Sequence, residues 1–183
     1  FVIGHRGSGQ NAISKDYLEN SLNSFKAAIN KGAQFVEFDI QMSKDGIPVI
    51  HHDFHIESRE PLPEIGEPVA KSENGNYLYA VKQFTKEQFV KQGLKTPYQT
   101  EMATLEDLLT KLPPSVGFDA EVKYPCYKKL NHSIPYEEMN KFVDAILEEM
   151  IKHAGDRRIF FSSFDPLIVI MLKLKQKRWP VFQ

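Results

Sequence analysis

The run Phe35-Val36-Glu37-Phe38-Asp39-Ile40 sets two carboxylates two residues apart inside an otherwise apolar stretch. In a strand, residues two apart share a face, so Glu37 and Asp39 point one way while Val36, Phe38 and Ile40 point the other. Two acids on one face repel each other and are costly to bury unless a cation sits between them. The next apolar run ends in His51-His52-Asp53, and the opening run Phe1-Val2-Ile3-Gly4 ends in His5-Arg6-Gly7. Acids, imidazoles and a guanidinium at run ends describe a site rather than a core.

The strand-like runs are Phe1–His5, Phe35–Ile40, Ile47–His52, Gly117–Lys123, Arg158–Ser163 and Pro180–Gln183. Amphipathic segments lie between them. Leu22, Phe25, Ala28 and Ile29 make one helical face, with Gly32 suited to its left-handed stop. Thr104 and Asp107 form a capping-box pattern ahead of Leu105, Leu108, Leu109 and Leu112, and Pro113-Pro114 ends that helix. Met139, Phe142, Val143, Ile146, Leu147, Met150 and Ile151 form the longest stripe, closed by Gly155 and read as core packing. Strands alternating with helices imply a mainly parallel α/β sheet. With candidate chemistry at several strand ends (His5, Glu37 and Asp39, His52, Glu121), a (β/α)₈ barrel is expected, since that fold builds its site from many strand ends. A dinucleotide-binding sheet would need a longer glycine fingerprint than Gly7-Ser8-Gly9. Six strands leave two strand–helix units missing or beyond Gln183, so the barrel is expected to be truncated after the sixth strand. Gln41–Gly46 is too short for a crossover helix, and whether it turns as a hairpin at Asp45-Gly46 or returns extended, His52 can end near Asp39.

With 183 residues, 42% of them hydrophobic and 26% charged, the chain has the composition of a globular protein with a sizeable core. Its net charge of −1 gives no general attraction to nucleic acid or an anionic membrane. No apolar run is long enough for membrane insertion, and the start does not resemble a signal peptide. Cys126 is the single cysteine, which excludes an intrachain disulfide and a paired-cysteine metal site and fits a cytoplasmic setting. Phe1 falls inside a strand-like run, so the chain is expected to be part of a longer polypeptide carrying possible further domains.

Asp119, Glu121 and Lys123 alternate with Phe118, Ala120 and Val122, giving the fourth strand one charged face and one apolar face. An isolated charged stripe is usually solvated, but helices covering the apolar face turn this one inward. Glu37, Asp39 and Glu121 then form an all-oxygen set, the preference of Mg²⁺ or Ca²⁺ rather than zinc.

These residues fall into a longer pattern: Gly4-His5-Arg6-Gly7, Glu19-Asn20-Ser21, Val36-Glu37-Phe38-Asp39, Ser43-Lys44-Asp45-Gly46, His52-Asp53, Thr104-Leu105-Glu106, Glu121-Val122-Lys123 and Ser162-Ser163-Phe164-Asp165. The pattern covers nearly the whole chain and resembles the glycerophosphodiester phosphodiesterase family. The resemblance implies a TIM-type phosphodiesterase barrel spanning residues 1–183 as a catalytic domain incomplete at its C-terminus. It implies one divalent cation, Mg²⁺ or Ca²⁺, on Glu37, Asp39 and Glu121, and His5 and His52 as the catalytic acid/base pair. Arg6 and Lys123 match phosphate-binding groups, while Glu19, Asp53 and Phe164 are possible supporting residues. The stretch Gly4-His5-Arg6-Gly7-x-Gly9-x-Asn11 is similar to intracellular eukaryotic members acting on glycerophosphocholine. The implied partner is a small glycerophosphodiester, and the products are glycerol 3-phosphate and an alcohol.

Other residues receive plainer readings. Glu19 is read as beginning a helix, His51 as packing away from the site, and His55, His132 and His153 as solvated. Cys126 lies near the mouth without a partnering base, and Trp179 is read as core. Residues 57–77, rich in Pro and Gly, read as an irregular mobile insertion beside the mouth. Tyr77, Tyr79, Tyr124, Tyr127 and Phe164 are aromatic candidates for a head-group lining. The alternatives are a lipid phosphodiesterase barrel of the phospholipase C or D type and a non-catalytic phosphodiester-binding or scaffold domain.

Overall fold

The computed structural model describes residues 2–11, 16–125 and 138–183, so Phe1, Cys126, Tyr127 and His132 lie outside the described residues. The main sheet has six strands. Five run parallel in the order β1 (Ile3–Gly4), β2 (Phe35–Met42), β7 (Gly117–Val122), β8 (Ile159–Ser162) and β9 (Val181–Phe182). The sixth, β3 (Pro48–Ile50), is a hairpin return that pairs antiparallel with the end of β2. The third predicted run therefore adds no parallel strand. Its turn is closed by a bond from the Gly46 amide to the Ser43 carbonyl, with Asp45 accepting from the Ser43 hydroxyl.

The alternation read from the sequence sorts the two faces of this sheet. Val36, Phe38, Ile40, Phe118, Ala120, Val122, Ile159 and Phe161 are buried in one cluster with residues of four helices. These are α1 (Leu22–Asn30), α3 (Leu105–Lys111), α4 (Met139–His153) and α5 (Pro166–Lys175). Phe38 stands edge-on to both Phe25 and Phe118, at 6.1 and 5.0 Å between ring centres, which joins α1 to the two central strands. Ser21 caps α1 by accepting from the Ser24 amide, and Gly32, at φ +93°, follows its last turn. Thr104 and Asp107 form the expected reciprocal capping box on α3. Ile151 departs from its stripe and is exposed, because it lies off the face that Met150 and, at the helix end, Ala154 bury.

Residues 57–77 are mostly turns, bends and irregular backbone, with short strand segments at 57–58, 70–71 and 77. Together with their flanks they form an antiparallel sheet of β4 (His55–Ser58), β6 (Tyr77–Ala80) and β5 (Ala70–Lys71). This sheet and α2 (Lys86–Gln92) enclose a second core of Leu62, Ile65, Tyr79, Phe84 and Phe89, with the Tyr79 hydroxyl accepting from the Leu62 amide. Leu62 and Ile65 sit among Pro61, Pro63 and Gly66, far in sequence from Tyr79, Phe84 and Phe89, so that core has no single helical or strand period to read.

Arg157 locks the far end of α3. Its buried guanidinium donates to the carbonyls of Leu109, Leu112, Pro113 and Val116 and lies 4.2 Å from the Phe118 ring centre. The carbonyls of Leu109 and Leu112 stand at the end of α3, where a helix leaves them without intrahelical donors, and those of Pro113 and Val116 belong to the turn that follows. A lysine offers one compact ammonium and cannot span four acceptors. Arg157→Lys is expected to cost about 2 kcal/mol or more through buried carbonyls left unpaired, read as a lower denaturant midpoint with an unchanged slope.

Candidate active site

The site follows from the register of two parallel strands. Glu37 lies opposite Asp119 and Asp39 opposite Glu121, so the period of two puts all four acids on the face away from the helices. Glu37, Asp39 and Glu121 each offer an oxygen within 4.8 Å of the others, as three ligands of one ion require. Glu37 and Asp39 are buried and Glu121 is half-buried. Asp119 is drawn aside by the Ser162 hydroxyl, which donates to it at 2.8 Å.

Positive and polar groups converge from other elements. Arg6, just past β1, takes a left-handed backbone with φ +50° and donates its amide to Glu37 Oε2 at 2.8 Å. Its guanidinium donates to Glu19 Oε1 at 3.1 Å, and Nε lies 3.7 Å from Asp39 Oδ2. Gly7, at φ +84°, presses against α1, where an added Cβ would meet the Ser24 hydroxyl at 2.5 Å. Lys123 Nζ lies 3.5 Å from both Asp39 Oδ1 and Glu121 Oε1. The half-exposed His5 places Nε2 3.8 Å from Glu37 Oε2. His52 Nδ1 is 2.7 Å from Asp53 Oδ1, and because a carboxylate only accepts, that nitrogen carries the proton.

The electrostatics follow from this crowding. Burial, reinforced by the charge of Asp39, pushes the Glu37 carboxyl up to about 8. Burial and then Asp39 also raise Glu121. Burial and the neighbouring Arg6 lower the pKa of His5, while the bond to His52 holds Asp53 below the usual carboxylate range. Asp39 Oδ1 is buried without a hydrogen bond. An orphaned carboxylate oxygen among three acids, with no sulfur or nitrogen ligand in the set, fits a hard divalent cation.

The remaining predicted residues divide. Glu19 lies ahead of the Ser21 cap rather than inside α1, and it serves as the acceptor for Arg6 and for the Asn11 amide. Phe164 is 79% exposed beyond β8, and Tyr79 is enclosed in the second core. Tyr124 packs edge-on against Phe142, and Tyr77 lies under Lys71. His51 turns from the site, its Nε2 3.2 Å from the His55 carbonyl and its ring edge-on to Phe89. His55 and His153 are half-buried rather than solvated. Trp179 is core, edge-on to Phe161.

Sequence reasoning missed three neighbours. Asn20, buried at φ +59°, donates its amide to Asp39 Oδ2 at 2.8 Å. Asparagine's tolerance of left-handed backbone was the available signal. Gln41 extends the Glu37/Asp39 alternation by one step and bonds the backbone around His52. Phe54 lies 5.7 Å from Lys123 Nζ, beside the phosphate-binding candidate.

An all-oxygen acidic triplet and two imidazoles thus meet at one end of a mainly parallel α/β sheet. The Glycerophosphoryl diester phosphodiesterase family matches residues 5–183, and the chain belongs to that family. It is 31% identical over 201 residues to a glycerophosphocholine phosphodiesterase of Homo sapiens, covering 98% of this chain and 30% of that protein. It is 33% identical over 234 residues to the Candida albicans glycerophosphocholine phosphodiesterase, covering 98% of this chain and 20% of that protein. Among solved structures, an Oleispira antarctica phosphodiesterase in complex with the product sn-glycerol-3-phosphate matches with a TM-score of 0.69 and 23% identity, over 99% of this chain and 64% of that one. A Thermotoga maritima glycerophosphodiester phosphodiesterase matches with a TM-score of 0.65 and 26% identity, over 99% and 60%. The chain thus spans less than a third of these curated relatives and about three fifths of the solved structures.

The raised Glu37 carboxyl would make any cation binding at this cluster depend on pH. A carboxyl whose pKa rises from 4.5 to about 8 on folding stabilises the cation-free fold below 4.5, and that stabilisation is lost as pH rises through 8. A bound cation instead requires the ionised form. Added Mg²⁺ or Ca²⁺ is therefore expected to raise the thermal midpoint more at pH 8 than at pH 5, and Glu37→Gln should flatten the difference.

Proposed function

We propose that the chain is the catalytic domain, spanning residues 1–183, of a divalent-metal-dependent enzyme that hydrolyses glycerophosphodiesters to glycerol 3-phosphate and an alcohol. The observation that carries this reading is the union of one acidic triplet, two cations and two imidazoles over a single sheet end. Glu37, Asp39 and Glu121 would hold one Mg²⁺ or Ca²⁺, whose charge opposes that of the phosphate oxygens. Arg6 and Lys123 add donors to the same oxygens, where charge gathers in the transition state. Each is already aimed at the acids by close pairing, which limits the reorganisation needed when phosphate arrives.

Of the two imidazoles, one takes the proton of the attacking hydroxyl, from water or from the substrate's own glycerol. The other gives a proton to the leaving alcohol oxygen as its bond to phosphorus breaks. Asp53 commits Nδ1 of His52, so Nε2 is the nitrogen that exchanges a proton with substrate. Burial and Arg6 bias His5 toward its neutral, proton-accepting form. Imidazole is suited to both tasks near neutral pH.

Glycerophosphocholine is the proposed substrate, supported by the printed names of the human and Candida albicans relatives. Glycerophosphoethanolamine and glycerophosphoinositol are the competing head groups. A cytoplasmic setting accords with the single cysteine, and among the described residues no helix is long and apolar enough to cross a membrane.

In the full-length protein, alanine at Glu37, Asp39 or Glu121 should abolish turnover, as should a chelator. Substitution of His5 or His52 should lower kcat roughly 10²–10⁴-fold, with a much smaller effect of His51→Ala. Chelator-resistant activity with no divalent ion by elemental analysis overturns the metal assignment. Specificity constants for the three substrates decide the head group, and a clear preference for the inositol ester overturns the choline reading.

A further inference from the structure

Gln41 is a buried amide on β2, one alternation beyond Asp39, in a position where an apolar residue would be expected to cost less. Its Nε2 lies 2.7 Å from the His51 carbonyl oxygen and 2.7 Å from that of Asp53. Carbonyl oxygens only accept, so the nitrogen faces both and donates both of its protons. These two carbonyls flank His52 on either side along the chain. The ladder between β2 and the returning strand ends with the His51 amide donating to the Asp39 carbonyl at 2.9 Å. Beyond that bond the chain leaves the sheet, and strand pairing no longer orients the backbone that carries His52 and Asp53. The imidazole is fixed by Asp53 at 2.7 Å, so any slack in residues 51–53 moves the ring and its carboxylate partner together.

We infer that Gln41 is a positioning residue for His52, bridging the carbonyls of His51 and Asp53 so that the imidazole keeps its place relative to the Glu37/Asp39 strand. The inference rests on the proposed hydrolysis with His52 as an acid/base group. It explains why a residue on the acidic face of β2 is an uncharged donor. A carboxylate there would repel both carbonyls, and an aliphatic side chain would leave them buried without partners. A displacement of about 1 Å in a catalytic group can cost on the order of 10²-fold in rate.

The test is a double-mutant cycle in the full-length protein with glycerophosphocholine, glycerophosphoethanolamine and glycerophosphoinositol as substrates. Gln41→Met keeps the length and bulk of the side chain but removes both donors. It should lower kcat roughly 10- to 100-fold, with KM within about twofold and affinity for Mg²⁺ and Ca²⁺ by calorimetry unchanged. In the His52→Ala background the same change should cost less than about twofold, because groups acting as one unit are not additive. If Gln41→Met does not fold, the cycle is run with Gln41→Asn, whose shorter amide keeps its donors but falls short of the two carbonyls. Equal losses in both backgrounds, or a change confined to KM or cation affinity, overturn the role of Gln41. A wild-type protein that turns over none of the three substrates overturns the functional reading itself, and that result is separable because it precedes any substitution.

Discussion

The repulsion among Glu37, Asp39 and Glu121 is the constraint around which the sheet end is organised. Parallel pairing of β2 with β7 sets Asp39 beside Glu121, and the two-residue repeat adds Glu37 to the same face. Like charges at that spacing, shielded from water on one side, cannot all ionise without compensation. Compensation comes from chain segments distant in sequence: Arg6 after β1, Asn20 before α1 and Lys123 after β7. Each is thereby drawn to the same point. The polar arrangement gives the otherwise interchangeable apolar packing a single correct registry.

The opposite face of the strands meets a different demand. Phe38 and Phe118, buried against α1, α3 and α4, hold the two acid-bearing strands rigidly side by side. A shift of one residue in β2 would exchange Glu37 and Asp39 for Val36, Phe38 and Ile40, exposing the core and burying the charges at once. Strand register, core packing and the clustering of the acids are therefore three readings of the same alternation.

That alternation made most of the fold and site legible in advance. The period of two in Phe35–Ile40 and Gly117–Lys123 identifies which side chains share a face, and the Thr104–Asp107 box marks its helix. What escaped notice depends on information that periodicity does not carry. The short Gln41–Gly46 link excludes a crossover helix but leaves a hairpin and an extended return both open, and only the pairing of β3 with β2 decides between them. The small sheet around Tyr79 is built from brief strands separated by Pro and Gly, so its core has no period to detect. Glu19 was misplaced because an acid near a helix start has an ordinary electrostatic explanation, whereas its partner Arg6 lies thirteen residues earlier. Asn20 and Gln41 act through backbone conformation and backbone carbonyls, which residue type alone does not reveal.

The pairing of β4 with β6 sets His55 directly opposite Ala80. The excursion thus leaves and rejoins the framework at neighbouring points, fastened by a two-stranded clasp and packed on a core that it shares with Val49 of β3. The turn Ser72–Asn76 is closed by its own bond between the Ser72 and Asn76 backbones, so an insertion there need not pull on either root. That tip is a place natural variation or deliberate grafting can reshape while the charge centre keeps its geometry.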